Sequence, residues 1–246
     1  MQHMLTRTRA QCGSEVPFPL AVFERGDESW DDAFRQTHER YLAAVGAAGA
    51  SRVLVLLRAP EGDAGGSGPV SPRFVPHDVL RIGELEGRFG AALVLDAACC
   101  LPDKRSAFTR LRERLEPGAK LLLVDWCKRE GLSSTQERFV LDPLLDDGSV
   151  KSLETPARYQ RHLAKAGFSV LEVDDLTERA RPSWEGGYRQ ALAEHRAAST
   201  PPTEADAPEP ALVAETQAQL NQALRLRAGF ASGFLRYMWF LAEAAP

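Results

Sequence analysis

Three short apolar runs punctuate the chain: RVLVLL (52–57), AALVLDAA (91–98) and KLLLVDW (120–126). Each is too short for a helix and lacks the alternation of a half-exposed strand, which predicts strands covered on both faces. Between them the period changes. WDDAFRQTHERYLAAVG (30–46) sets Phe34, His38, Tyr41, Leu42 and Val45 near one helical face, with Gly46 and Gly49 as its stop. LPDKRSAFTRLRERLEPG (101–118) repeats the pattern with Phe108, Leu111 and Leu115, and Pro117-Gly118 reads as its stop. The charges of RSAFTRLRERLE (105–116) are a solvated face. RFVPHDVL is a short strand that Pro76 confines to a strand end or an edge. Further on come a helix over 156–166 closed by Gly167, a strand FSVLEVDDLT, a helix from Trp184 to about His195, a helix over 211–228 and a terminal strand over 234–244. Strands alternating with helices predict an α/β domain built on a doubly wound, mostly parallel sheet.

Other stretches have no period. Residues 1–28 read as loop, APEGDAGGSGPVSP (59–72) as a flexible surface loop, and STPPTEADAPEP (199–210) as a surface linker. GDAGGSG lacks the Lys-Ser/Thr of a phosphate-binding loop, and no helical pattern follows it for an anion to cap. The 246 residues, 44% of them hydrophobic, divide into an N-terminal segment and helix (1–50) and one domain (51–246). A net charge of −4 with no basic stripe excludes a nucleic-acid partner, because a phosphate backbone must be met by cations. The four cysteines, Cys12, Cys99, Cys100 and Cys127, form neither a disulfide framework nor a zinc spacing, and the adjacent pair is expected to pack as small hydrophobes. No metal is predicted. The first seventeen residues lack the apolar core of a secretory signal, and no apolar run reaches membrane-spanning length, so the expected setting is reducing and cytoplasmic.

One long stretch carries a resemblance. Pro102-Asp103-Lys104, Leu115-Glu116-Pro117-Gly118-Ala119 and Asp125-Trp126-Cys127 follow one another in order and spacing. Tyr159 near AGF, Asp174-Asp175-Leu176-Thr177 and Pro182-Ser183-Trp184 come after them. Together these segments resemble the class I S-adenosylmethionine-dependent methyltransferases, in the small-molecule branch of tocopherol, sterol and sarcosine methyltransferases. The resemblance covers roughly 73–190 plus the last strand. It implies a Rossmann-like fold with a reversed final strand, a small helical substrate cap over about 130–166, and a hydrophobic small-molecule substrate.

The same alignment exposes departures. Where the family has a first strand and turn of the form RVLDVGCGxGG, Val55 replaces the acid, and Leu57, Ala59 and Glu61 fall on glycine positions. Those glycines let backbone N–H groups approach a cofactor without a Cβ clash, and Pro60 removes a donor outright. The family's second strand, whose terminal acid meets the ribose hydroxyls, is compressed into 59–72, so the N-terminal half is shortened. Asp78 matches the acid that touches the adenine amino group, and Cys100 stands where the branch has a histidine. The expectation is no bound cofactor, with S-adenosylmethionine held through Asp78 as the alternative. Sheet ligands bind at the carboxyl ends of strands, which makes His77, Asp78, Asp125 and Tyr159 the candidate catalytic residues. Cys100, Trp126 and Trp184 are the candidate substrate wall. Three functions follow: an enzyme of small-molecule biosynthesis repurposed to cyclisation or rearrangement, a methyltransferase with an atypical cofactor site, or a non-catalytic partner of an intact methyltransferase. A homodimer is the remaining partner expectation.

Overall fold

The computed structural model describes residues 20–57, 74–146, 150–200 and 209–245. The loop at 59–72, with Pro60 and GDAGGSG, most of the linker at 199–210, and Cys12 lie outside the described residues. Six strands form one sheet: β1 (Val53–Leu57), β2 (Phe74–Asp78), β3 (Phe89–Leu95), β4 (Leu115–Lys128), β5 (Phe168–Asp175) and β6 (Leu235–Ala244). Their order is β2-β1-β3-β4-β6-β5. Strands β1 to β4 run parallel, and β6 is antiparallel to both β4 and β5, so the final strand is reversed as expected. The three apolar runs are the central strands, and their Val, Leu and Ala side chains are nearly all fully buried.

The helices are α1 (Trp30–Ala44), α2 (Lys104–Glu113), α3 (Pro156–Lys165), α4 (Arg181–Ser199) and α5 (Pro210–Ala231). Their ends follow local chemistry. Ser29 caps α1 by accepting from the Asp32 N–H (3.1 Å), and Asp31 and Asp32 suit the positive end of the helix dipole. Asp103 caps α2 through the Ser106 N–H (3.0 Å). Thr155 caps α3, Pro156 opens it, and Gly167 leaves it with φ +88°, a conformation that costs a glycine little.

Ring contacts assign the helices to the two faces of the sheet. Tyr159 of α3 lies against Phe240 (5.5 Å between centroids) and Phe108 of α2 (6.4 Å), so α2 and α3 cover one face. Tyr41 of α1 meets Trp239 (5.6 Å) and Phe230 of α5 meets Trp126 (6.4 Å), placing α1 and the α4–α5 hairpin on the other.

Four expectations need correction. The buried stripe of α1 is centred on Ala33, Thr37 and Tyr41 and runs on to Val45, one position round from the expected face, because the small Ala33 and Thr37 let the helix sit close. Pro117-Gly118 does not stop α2. That helix ends at Glu113 and β4 begins at Leu115, with Pro117 and Gly118 (φ +74°) in the irregular stretch where the β3–β4 register shifts. The segment before residue 51 shares the main core, since Val22, Tyr41 and Val45 belong to it. The helical cap is also drawn differently. Pro156–Lys165 flanks the sheet, whereas the short helical turns at 134–146 and the α4–α5 hairpin lie over the Trp126 face, joined by Arg225 donating to the Pro143 carbonyl (2.9 Å).

Candidate functional site

Adjacent residues of a strand point to opposite faces, and this divides the predicted site. Asp125 and Trp126, neighbours in the sequence, lie on opposite sides of β4. On the α2–α3 side Asp125 is wholly buried. The Tyr159 hydroxyl donates to its Oδ2 (2.9 Å) and the Trp126 N–H to its Oδ1 (2.8 Å). Burial raises the Asp125 pKa, opposed by the charge of Lys104 and by these two hydrogen bonds. Burial likewise holds the Tyr159 hydroxyl well above the ordinary tyrosine range. Lys104 is 3% exposed, and its Nζ donates to the carbonyls of Leu101 (3.3 Å) and Ser152 (3.0 Å) and to the Ser152 hydroxyl. Its pKa is lowered by desolvation. Asp125 and Tyr159 are thus brought together, in an interior cluster behind the sheet.

On the other side, Trp126 and Trp184 line a cavity of about 80 Å³ with Phe230, Ala191, Glu194 and Gln219 among its walls. Trp184 stacks on Phe230 (5.7 Å, 14° between planes) and Trp126 stands edge-on to the same ring. The two tryptophans assigned to the substrate wall therefore meet. Cys100, assigned with them, does not line this cavity. It is buried beside Cys99, their sulfurs 3.9 Å apart, at the end of β3. Glu194 is the carboxylate at the cavity, accepting from Gln190 (2.8 Å), and sequence reading missed it because it sits on an ordinary polar helix face.

His77 and Asp78 stand elsewhere. Register puts Asp78 level with Leu57, and Leu56 level with Val94, near the carboxyl edge. Three strand spacings separate β2 from β4, roughly 14 Å at about 4.8 Å per strand. His77 Nε2 donates to the Arg81 carbonyl (2.8 Å), and Asp78 Oδ1 accepts from the Leu80 N–H (3.0 Å), capping the 3₁₀ turn Val79–Glu84. The pair does not join Asp125 and Tyr159. Moreover, β2 adjoins β1 directly, so Asp78 ends the strand beside the first one.

These placements test the fit of a nucleoside cofactor. Val55, at the family's acidic position, is a buried core residue. Asp78 is available at the carboxyl edge, with one oxygen already committed to Leu80. The described residues supply Asp78 at one end of such a site and Val55 in place of the acid of the first strand, and the turn after β1 lies outside the described residues.

A residue outside the predicted set stands out. Asp96 follows β3 with φ +46°, left-handed for a non-glycine residue, and its N–H donates to the Val124 carbonyl (2.9 Å). The side chain is 4% exposed, and neither carboxyl oxygen has a hydrogen-bond partner. Burial holds its pKa well above the ordinary carboxyl range, and the charge of Asp125 adds to the effect. The Tyr237 hydroxyl, which faces both Asp96 and Tyr41, pulls the other way. The available signal was an acid ending an otherwise apolar strand. Among the described residues no cluster of His, Cys, Asp and Glu is arranged to hold a metal, and no helix is long and apolar enough to cross a membrane.

No family model matches the chain. It is 25% identical over 138 residues to the O-methyltransferase resE of Aspergillus sclerotiorum, a match covering 54% of this chain and 48% of that protein. The matched regions of the curated relatives span less than half of their lengths. Among solved structures, the [4+2]-cyclase SpnF superimposes with a TM-score of 0.69 at 15% identity, over 99% of this chain and 92% of that one. A sarcosine dimethylglycine methyltransferase from Galdieria sulphuraria, described as putative, gives 0.66 at 14% identity, over 92% of each chain.

Proposed function

We propose that this chain, which is similar in part to O-methyltransferases and superimposes on structures of the methyltransferase fold, is an enzyme of small-molecule biosynthesis repurposed to a non-methylating reaction, such as cyclisation or rearrangement of a hydrophobic substrate. One asymmetry carries the reading: an aromatic cavity stands at the end of β4, while β1 holds the buried Val55 where the family places its cofactor acid. Such a reaction needs no group donor. It needs a flexible substrate held in a reactive fold, and proximity and orientation alone supply large accelerations.

The residues suit that task. Trp126, Trp184 and Phe230 present rigid apolar surfaces that restrict how an unsaturated chain can coil. Gln190, Glu194, Gln219 and Gln222 give the cavity a polar margin, and Glu194 is its carboxylate for moving a proton. The likeness to a solved [4+2]-cyclase supports a methyltransferase fold serving this kind of chemistry.

A titration of the purified chain with S-adenosylmethionine and S-adenosylhomocysteine, followed by thermal denaturation, tests the reading. A ligand present at about a hundred times its Kd stabilises the native state by about 2.7 kcal/mol. No change in Tm at millimolar ligand is the expected result. A saturable rise would sink the proposal and favour an active methyltransferase, the reading to which the O-methyltransferase relatives and Asp78 lend support.

A further inference from the structure

The cavity between Trp126 and the α4–α5 hairpin has a lopsided lining. Four of its wall residues are aromatic, Trp126, Trp184, Tyr188 and Phe230, and Glu194 is the one that carries a charge. Among the described residues no lysine, arginine or histidine lines it. The indole nitrogens of both tryptophans are themselves buried, so the chamber meets the carbon surface of those rings. Glu194 accepts from the amide of Gln190, one turn back on α4 (2.8 Å), and has no ion-pair partner among the described residues. Basic residues close by are engaged elsewhere. Arg227 donates to Glu185 (2.9 Å) and lies over the Tyr188 ring, 4.8 Å from its centroid. His195 turns its two ring nitrogens to the hydroxyls of Thr216 (3.3 Å) and Ser199 (3.4 Å). Arg189 and Arg196 fall on the opposite, exposed side of α4.

A carboxylate on the wall of an apolar chamber selects what enters beside it. A ligand that displaces water from the chamber strips part of the carboxylate's hydration, and only a donor carried by the ligand offsets that loss. A plain hydrocarbon brings no donor, and an anion adds like-charge repulsion. A protonated amine brings both N–H donors and the opposite charge, while its carbon body covers the rings. Aromatic faces add their own attraction for a cation, and the contact of Arg227 with Tyr188 shows it operating within the same hairpin.

We propose that the substrate of this cavity is a hydrophobic amine, its protonated nitrogen paired with Glu194 and its carbon body held against Trp126, Trp184 and Phe230. This assignment rests on the proposed function's reading of the cavity as the substrate site, and not on whether methyl transfer occurs. The carboxylate at the cavity then also fixes the polar end of the substrate, which sets how the remainder lies along the aromatic wall.

The test uses three probes that share one hexyl chain and differ in charge at pH 7: n-hexylamine, 1-hexanol and sodium hexanoate. Binding to the full chain is followed by tryptophan fluorescence and by titration calorimetry. The expected result is saturable binding of n-hexylamine, about tenfold tighter than that of 1-hexanol, with hexanoate the weakest of the three. Glu194→Gln keeps the size and the hydrogen-bonding of the side chain while removing its charge. In that variant n-hexylamine should lose its advantage and bind like 1-hexanol, whose own affinity stays unchanged, and circular dichroism checks that the variant is folded. Equal affinities of n-hexylamine and 1-hexanol for the native protein overturn the amine assignment and leave the apolar substrate site standing. Undiminished n-hexylamine affinity in Glu194→Gln also overturns the assignment, as does tighter binding of hexanoate than of n-hexylamine. Absence of saturable binding by all three overturns the assignment together with the reading of this cavity as the substrate site. A Tm rise with S-adenosylmethionine, by contrast, would remove the non-methylating reading alone.

Discussion

Asp125 and Asp96 are two acids within the same few residues of sheet edge, and they are treated differently. Asp125 has a close donor on each oxygen, whereas Asp96 has only the Tyr237 hydroxyl near it. Replacing Tyr159 by Phe removes one donor and leaves a buried carboxyl oxygen unpaired. Tyr159→Phe should therefore lose about 1–3 kcal/mol of unfolding free energy, read from urea midpoints at constant m. The pH dependence has a definite sign. Both acids have folded-state pKa values raised above the ordinary value near 3.8, principally by burial. Such a group holds its proton more tightly when folded, so its contribution is whole below the unfolded pKa and fades as pH rises through the folded one. Asp96→Asn keeps the shape and the backbone preference while removing the titration. Its stability advantage over the native protein should grow between pH 5 and pH 8 in paired urea titrations, and an advantage independent of pH would contradict this.

Helix α1 is tied to the domain through buried polar contacts. The Val22 N–H donates to the Thr37 hydroxyl (2.8 Å), and Thr37 donates in turn to the Ala33 carbonyl (2.7 Å). Across the interface with α4, the Ser183 hydroxyl donates to the Ala21 carbonyl (2.7 Å). Arg40 and Arg179 bridge Glu24 and Asp174 at the rim of this contact, and being partly exposed these pairs contribute little. Thr37→Val preserves volume but strands the Val22 N–H in the core. We expect a loss of about 1–3 kcal/mol with faster amide exchange over residues 20–28, and unchanged exchange there would show that the tie is dispensable. The α4–α5 hairpin is the second functional element, because it forms much of the cavity wall. Ala191 is 9% exposed and lines that cavity. Ala191→Phe should fill it and abolish the saturable change in tryptophan fluorescence expected of the native protein on titration with a small apolar ligand such as 1-nonene, with the far-ultraviolet circular dichroism unchanged.

The whole molecule was legible in outline because burial on both faces leaves an unmistakable mark. Runs such as RVLVLL and AALVLDAA, alternating with helical stretches, declared a doubly wound sheet, since a strand without polar alternation must be covered on both sides. Trp126 and Trp184, far apart in the chain, line one cavity, and Cys99 and Cys100 are buried in the interior. What local pattern could not convey was juxtaposition. The pairing of β2 with β1, the separation of Asp78 from Asp125 by three strands, and the division of Asp125 and Trp126 between two faces depend on strand order and on which helices return to which side. Nothing local marks the burial of Lys104, whose amino group is met by carbonyls from residue 101 and, across the fold, residue 152. Asp96 read as a strand-end acid for the same reason. The sequence by itself determined the principal elements and the burial of the central strands, because these follow from the hydrogen-bonding and hydrophobic demands of each segment. Only the tertiary structure decided which polar groups found partners, because a donor and its acceptor can lie a hundred residues apart, and the few left without one mark where the chemistry of this protein is to be sought.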